Sequence, residues 1–170
     1  PRAIQNLASS RKSLHPAGIA AANLLGFTTQ SASCNELATS HLSLPRKLVG
    51  PDTVIHTRRP EAWSGLSDMD AALLDFLRRG GRGSELSSEE TVRRTLALLL
   101  EKGRYERIVR VADREPPRVR AMLGALGERA GKRGHPLNRL RATLNPFSRF
   151  DFGVFSVLAT ARAWQAKEGR

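Results

Sequence analysis

One cysteine, Cys34, in 170 residues excludes an internal disulfide framework and any zinc module built from several thiolates. Nothing therefore points to an oxidising compartment, and a cytoplasmic setting is expected. No apolar run approaches the roughly 18 residues of a membrane span, and the arginine-bearing start lacks the continuous apolar core of a signal peptide. No membrane partner is expected. His15, His41, His56 and His135 are dispersed, and Cys34 has no Cys or His within six positions, so no metal site is expected. There is no Gly-x-Ser-x-Gly elbow, and Cys34 near His41 is a pairing any sequence can produce. No catalytic residue and no cofactor is expected. Aromatics are 5% of the chain, too few for a stacking platform of the RNA-recognition type.

Positive charge is abundant. Lys and Arg number 28 against 16 Asp and Glu, a formal balance of +12, which favours polyanionic partners such as nucleic acid. Residues 1–60 carry 7 basic and 2 acidic side chains, 61–115 carry 10 and 11, and 116–170 carry 11 and 3. The balanced, leucine-rich middle reads as a helical core with mixed-charge solvent faces, and the basic ends are where a polyanion would be met. With 40% hydrophobic residues the chain is expected to fold, as about one domain's worth of sequence.

The fold class expected is α+β, mainly α, with a small antiparallel sheet in the N-terminal third followed by a bundle of short helices. Residues 1–14 read as a flexible polar leader, 15–64 as a helix-plus-sheet subdomain and 65–170 as a helical region packed against it. Pro16 suits a first helical turn, and Ala17 to Leu25 is small and apolar up to Gly26, a good helix end. Asn35 to Thr39 has extended character. Thr53 to Arg58 is the clearest strand, with the Gly50-Pro51-Asp52 turn before it and Leu44 to Val49 as a candidate hairpin partner. Ser67 with Asp70, and Ser87 with Glu90, have capping-box spacing ahead of leucine-rich helical periods. A third helix is expected over Tyr105–Asp113, a fourth from Pro116-Pro117 with Val119, Met122, Leu123 and Leu126 inward, and further turns over Leu137–Leu144 and Ala159–Ala166. Phe147, Phe150, Phe152 and Phe155 read as a core-sealing loop.

Gly80-Gly81-Arg82-Gly83-Ser84 lacks the Gly-Lys-Ser/Thr ending of a Walker loop and follows a helix, so it reads as a flexible joint. Glu89-Glu90 and Asp113 with Glu115 fall at predicted helix ends, where caps and dipole partners explain them. The basic clusters are Arg46-Lys47, Arg58-Arg59, Arg78-Arg79 with Arg82, and a C-terminal series that includes Arg129 and Arg149; the candidate binding residues among them are Arg46, Lys47, Arg58 and Arg59, then Arg118, Arg120, Lys132, Arg133, Arg139 and Arg141. Each is a solvated face unless a phosphate meets it, and phosphate contacts of this kind give sequence-independent, salt-sensitive affinity.

The string from His15-Pro16-Ala17-Gly18 through the A-x-N-x-L-G helix to Gln30, continued by Leu37-Ala38-Thr39 and Val54 to Arg59, resembles the AbiEi family, antitoxins of bacterial type IV toxin-antitoxin (abortive infection) systems. The likeness covers residues 15 to about 60, and the remainder only in general layout. Family members carry Val-Pro after the glutamine, where this chain has Ser31-Ala32-Ser33, and begin with a winged helix-turn-helix absent from these residues. The resemblance implies a C-terminal antitoxin domain of a longer protein that represses its operon on duplex DNA and counteracts a nucleotidyltransferase toxin. It also implies a charged sheet surface on Arg46, Lys47, Arg58 and Arg59. The alternatives are a generic basic nucleic-acid-binding module and, last, an enzyme using carboxylates or Cys34.

Overall fold

The computed structural model describes residues 14–30, 35–44, 47 and 50–168, which form two compact units, residues 1–75 and 76–170. The class is α+β and mainly α, with the sheet in the N-terminal third and short helices after it. Most of the leader, Ser31 to Cys34, and Pro45, Arg46, Leu48 and Val49 of the expected hairpin partner lie outside the described residues.

In the first unit, β1 (Leu14–Pro16), α1 (Gly18–Leu24), β2 (Asn35–Thr39) and β3 (Thr53–His56) precede a 3-10 turn at Glu61–Gly65. The sheet order is β1-β2-β3, β1 running antiparallel to β2 and β3 parallel to it, with Leu37 opposite Ile55. It is thus mixed where antiparallel pairing throughout was expected. A parallel neighbour needs a crossover of about a dozen residues, which the chain between Thr39 and Thr53 can supply and a tight Gly50-Pro51-Asp52 hairpin cannot. Pro16 belongs to β1, opposite Leu37, and not to a helical turn. β1 is an edge strand, where a residue without an amide proton leaves no ladder bond unmade.

α1 begins at Gly18, whose φ of 55° favours glycine; a Cβ there would also lie 2.1 Å from Oε2 at the end of the Glu36 side chain. It ends as its sequence predicts. Gly26 takes φ 80°, and the Phe27 amide donates to Ala22 O at 2.8 Å, so the last turn closes on itself.

α2 (Asp68–Arg78) carries the chain into the second unit, its Asp70 amide capped by Ser67 Oγ at 3.1 Å. α3 (Ser88–Leu100), α4 (Arg104–Val111), α5 (Pro117–Arg129) and α6 (His135–Ala142) follow. Ser87 Oγ caps α3 at the Glu90 amide, and Pro117 opens α5, as read from the sequence. Threonines on the buried side of α3 are satisfied internally, Thr95 Oγ1 donating to Thr91 O at 2.7 Å.

α5 is the central helix of this unit, buried at Val119 and at every position from Ala121 to Gly127. Glycine in a helix interior costs about 1 kcal/mol against alanine. Two are kept here because the space is taken: a Cβ on Gly124 would lie 2.2 Å from the Trp164 ring, and one on Gly127 would lie 2.0 Å from the Tyr105 hydroxyl. That hydroxyl donates to Leu123 O at 2.8 Å, and burial pushes the Tyr105 phenol above its usual range.

The expected helix at Ala159–Ala166 is only a 3-10 turn, Arg162–Trp164. Gln165 has φ 67° and ends it so that Trp164 can enter the core. Of the phenylalanine loop, Phe152 and Phe155 seal the core, with Phe155 edge-on to Phe76 at 6.2 Å; Phe147 is 92% exposed and does not. The Gly80–Gly83 joint is packed rather than flexible: Gly80 O accepts from Val154 N at 2.9 Å, and a Cβ on Gly153 would lie 2.4 Å from Gly80 O.

Gly124→Ala is expected to destabilise the protein by about 1–3 kcal/mol through overpacking. Gly65→Ala, at a site with nothing within 4 Å of the added carbon, is expected to fall within about 0.5 kcal/mol of the parent. Urea denaturation of the two variants side by side checks this.

Candidate anion-binding cleft

A short connector between α5 and α6 builds the cleft. α5 stops where Gly131 adopts φ 86° and the Lys132 amide returns to Gly127 O at 2.9 Å. Gly134, with φ 85° and ψ −145°, occupies backbone space open essentially to glycine alone and precedes α6. Lys132 and Arg133 are thereby held at the tip of the connector, facing Arg141 one helix away. With Glu128, Asn138 and Trp164 these three cations line a cleft of about 470 Å³.

The charges are positioned by contacts, not left to wave in solvent. Trp164 is buried, one face covered at Gly124 and the other by the Arg141 guanidinium 4.3 Å from the ring centroid. A guanidinium stacked in this way is pre-ordered for a planar, two-pronged contact with phosphate or carboxylate. Trp164 Nε1 donates to Glu128 Oε2 at 2.9 Å, which fixes the one carboxylate of the cleft. Lys132 Nζ donates to Glu106 Oε1 at 2.6 Å and lies 5.8 Å from the Tyr105 ring. That hydrogen bond, ahead of every other influence, holds the Glu106 carboxyl below its usual range. Arg133 is exposed and makes no hydrogen bond or ion pair. The first turn of α6 has no acidic residue and no side-chain cap, so its positive end adds to the field. Such an arrangement can hold an anion.

The remaining candidates fall elsewhere. Arg46 lies outside the described residues. Lys47 and Arg58 are exposed in the first unit, Arg58 at φ 58°, an unusual backbone for arginine. Arg59 is turned inward, its Nη2 3.6 Å from the buried Asp75 and its guanidinium 5.7 Å from the Trp63 ring. Arg118 donates to the carbonyls of Arg78 and Asp151, and Arg120 to those of Glu115 and Thr143. Arg139 pairs with Asp113 at 2.6 Å. Of ten candidates, then, the structure brings Lys132, Arg133 and Arg141 together, and uses several others as ties between segments.

Sequence reasoning missed Glu128 and Trp164. Its one available signal was Gly124, which has no reason to sit inside a helix unless a large ring lies against it. Glu115, expected to act as a cap or dipole partner, is instead wholly buried against Arg78, with Nε to Oε1 at 2.7 Å. Among the described residues no three His, Cys, Asp or Glu side chains come together as a metal site, and no helix is long and apolar enough to cross a membrane. Cys34 lies outside the described residues. No family model, curated protein or solved structure matches the chain.

Because the folded state lowers the Glu106 pKa, its contribution to stability is present at neutral pH and is lost as the pH falls below the ordinary glutamate range and through the lowered folded value. Glu106 is 48% exposed, so the contribution is at most about 1 kcal/mol. The expected result is a small loss of stability in Glu106→Gln at pH 7 that disappears at acid pH, read from urea midpoints across the range.

Proposed function

We propose that this chain is the antitoxin and regulatory domain of a type IV toxin-antitoxin system, acting in the cytoplasm by binding rather than by catalysis. Its functional partner is a nucleotidyltransferase toxin encoded beside it, and it supports repression of its own operon. One observation carries this reading: the residues that bear the resemblance are those on which the geometry of the first unit depends. Pro16 ends the edge strand, Gly18 makes room for Glu36, and Gly26 turns α1 off. Asn23 Nδ2 donates to Gln30 O at 3.1 Å, which ties the helix to its exit. Ala38 and Thr39 are buried in β2. A string in which so many positions are constrained is not reproduced by an alanine-rich helix alone, and a shared string of this kind argues for a shared domain.

The test is co-expression with the adjacent toxin. Cells carrying both are expected to grow, and cells carrying the toxin alone are expected to stop. Failure of this chain to restore growth, with a neighbouring reading frame that encodes no nucleotidyltransferase, rejects the proposal.

The cleft favours a second reading, a basic module that contacts the phosphate backbone of duplex DNA. Three cations then predict a slope of log affinity against log salt of about −3, and Arg133→Glu with Arg141→Glu is expected to reduce it by about 2. Fluorescence anisotropy with a labelled duplex measures the slope. A flat salt response removes this reading and leaves the first standing.

A further inference from the structure

The C-terminal end of α2 gathers a second set of cations that neither reading uses. Leu77 O and Phe76 O accept the amides of Gly80 and Gly81 at 2.9 and 3.1 Å, and with φ of 64° and 80° these glycines fold the chain back on itself. Arg78 and Arg79 stand before the turn and Arg82 after it. Arg118, from the first turn of α5, reaches across to donate to Arg78 O, with its other arm 3.3 Å from Asp151 O. These four guanidinium groups line a cavity of about 270 Å³.

The charge balance there is lopsided. Glu115 takes Arg78 in a two-pronged contact at 2.7 and 2.9 Å, and it lies wholly inside the protein. Asp151 turns its carboxylate to the Gly153 amide at 2.8 Å. The Arg82 side chain is exposed and makes no hydrogen bond or ion pair. Arg82 brings to this arginine-lined space a guanidinium with no protein partner, and an anion placed there gains charge-assisted hydrogen bonds.

The wall of the cavity is closely packed: a Cβ on Gly153 would lie 2.4 Å from Gly80 O, which accepts from Val154 N at 2.9 Å. The loop amides of Gly80, Gly81, Arg82 and Ser84 are all engaged within the turn. The glycine-rich loop therefore does not cradle phosphate through its N–H groups, as a Walker loop does; it positions guanidinium forks, whose planar geometry matches phosphoryl oxygens. At about 270 Å³ the cavity falls below the roughly 300–1,000 Å³ of sites for drug-sized molecules, which suits a small anion or the end group of a larger one.

We infer that Arg78, Arg79, Arg82 and Arg118 form a cup for a phosphoryl or pyrophosphoryl group. The group is either free in solution or carried at the end of a nucleotide or nucleic-acid strand.

Calorimetric titration of the full chain at constant ionic strength tests this with inorganic phosphate, pyrophosphate, ADP and a short oligonucleotide bearing either a 5′-phosphate or a 5′-hydroxyl. Saturable binding of at least one phosphoryl probe is expected. Arg82→Glu is expected to weaken it by about tenfold or more, Arg82→Lys by less, and Arg133→Glu in the separate cleft not at all. Arg82 lies on an exposed turn, so a thermal melt matching the parent confirms that each variant is folded. Preference for the 5′-phosphate over the 5′-hydroxyl assigns the group to a strand end; preference for ADP over pyrophosphate assigns it to a nucleotide; and binding of pyrophosphate and phosphate alone assigns it to a free anion. Absence of saturation with every probe, or undiminished affinity in Arg82→Glu, overturns the cup. Neither result bears on toxin rescue.

Discussion

A carboxylate buried in protein must be met by cations or amide protons, because desolvation otherwise outweighs any packing it provides. Each unit of this protein is organised around one such group. Asp75, with its side chain 0% exposed, accepts the Gly18 amide at 2.9 Å and faces Arg59 at 3.6 Å. One carboxylate thus fixes where α1 starts, where the chain goes after β3, and how α2 presents its inner side. Nearby, His15 extends the arrangement, with Nε2 donating to Trp63 O at 2.7 Å and Nδ1 facing Asp68 at 3.0 Å. Glu115 does the equivalent work in the second unit: it clamps Arg78, whose carbonyl accepts from Arg118, so the end of α2 and the start of α5 are held by one chain of contacts.

This constraint divides the basic residues into two populations that net charge alone cannot separate. Arg59, Arg78, Arg118 and Arg120 are structural ties whose donors reach carboxylates or carbonyls inside their own unit. Arg104 is another, donating to Leu98 O at 2.6 Å and so closing the end of α3. Arg82 and Arg133 have no such duty. Arginine serves both roles because its five donors form a fixed fork, so one side chain can hold a structural partner and still face solvent. A surplus of positive charge argues for association with polyanions, and the residues freest to act on it are those left over once the fold is satisfied.

What could be read from the sequence was whatever depends on near neighbours. Ser67 and Ser87 cap the helices they precede, Pro117 opens α5, and Gly26 closes α1, each through contacts within a few residues. The parallel pairing of β2 with β3 was not legible, since strand direction depends on a crossover and not on the composition of either strand. Trp164 illustrates the same limit. Its surroundings suggest a closing helix, yet a large ring that finds a glycine-lined slot on α5 gains more from burial than its neighbours gain from helical continuity. Among candidate binding residues, the sequence marked the right residue types and the right end of the chain, but Arg59 and Arg139 read the same as Arg133 and Arg141 until Asp75, Asp113 and Trp164 are in place.

The cleft and the arginine cup use a common device. In each, a helix ends at a glycine with positive φ, the chain doubles back within a few residues, and cations on the turn meet one from another helix. The backbone amides of Gly80, Gly81, Arg82 and Ser84 are consumed in closing the turn, so the turn contributes position and its side chains contribute charge. Recognition built in this way depends on the separation of anionic groups on the partner and on the salt around it, with little dependence on base identity. Contacts of this kind strengthen an encounter with a polyanion without selecting its sequence.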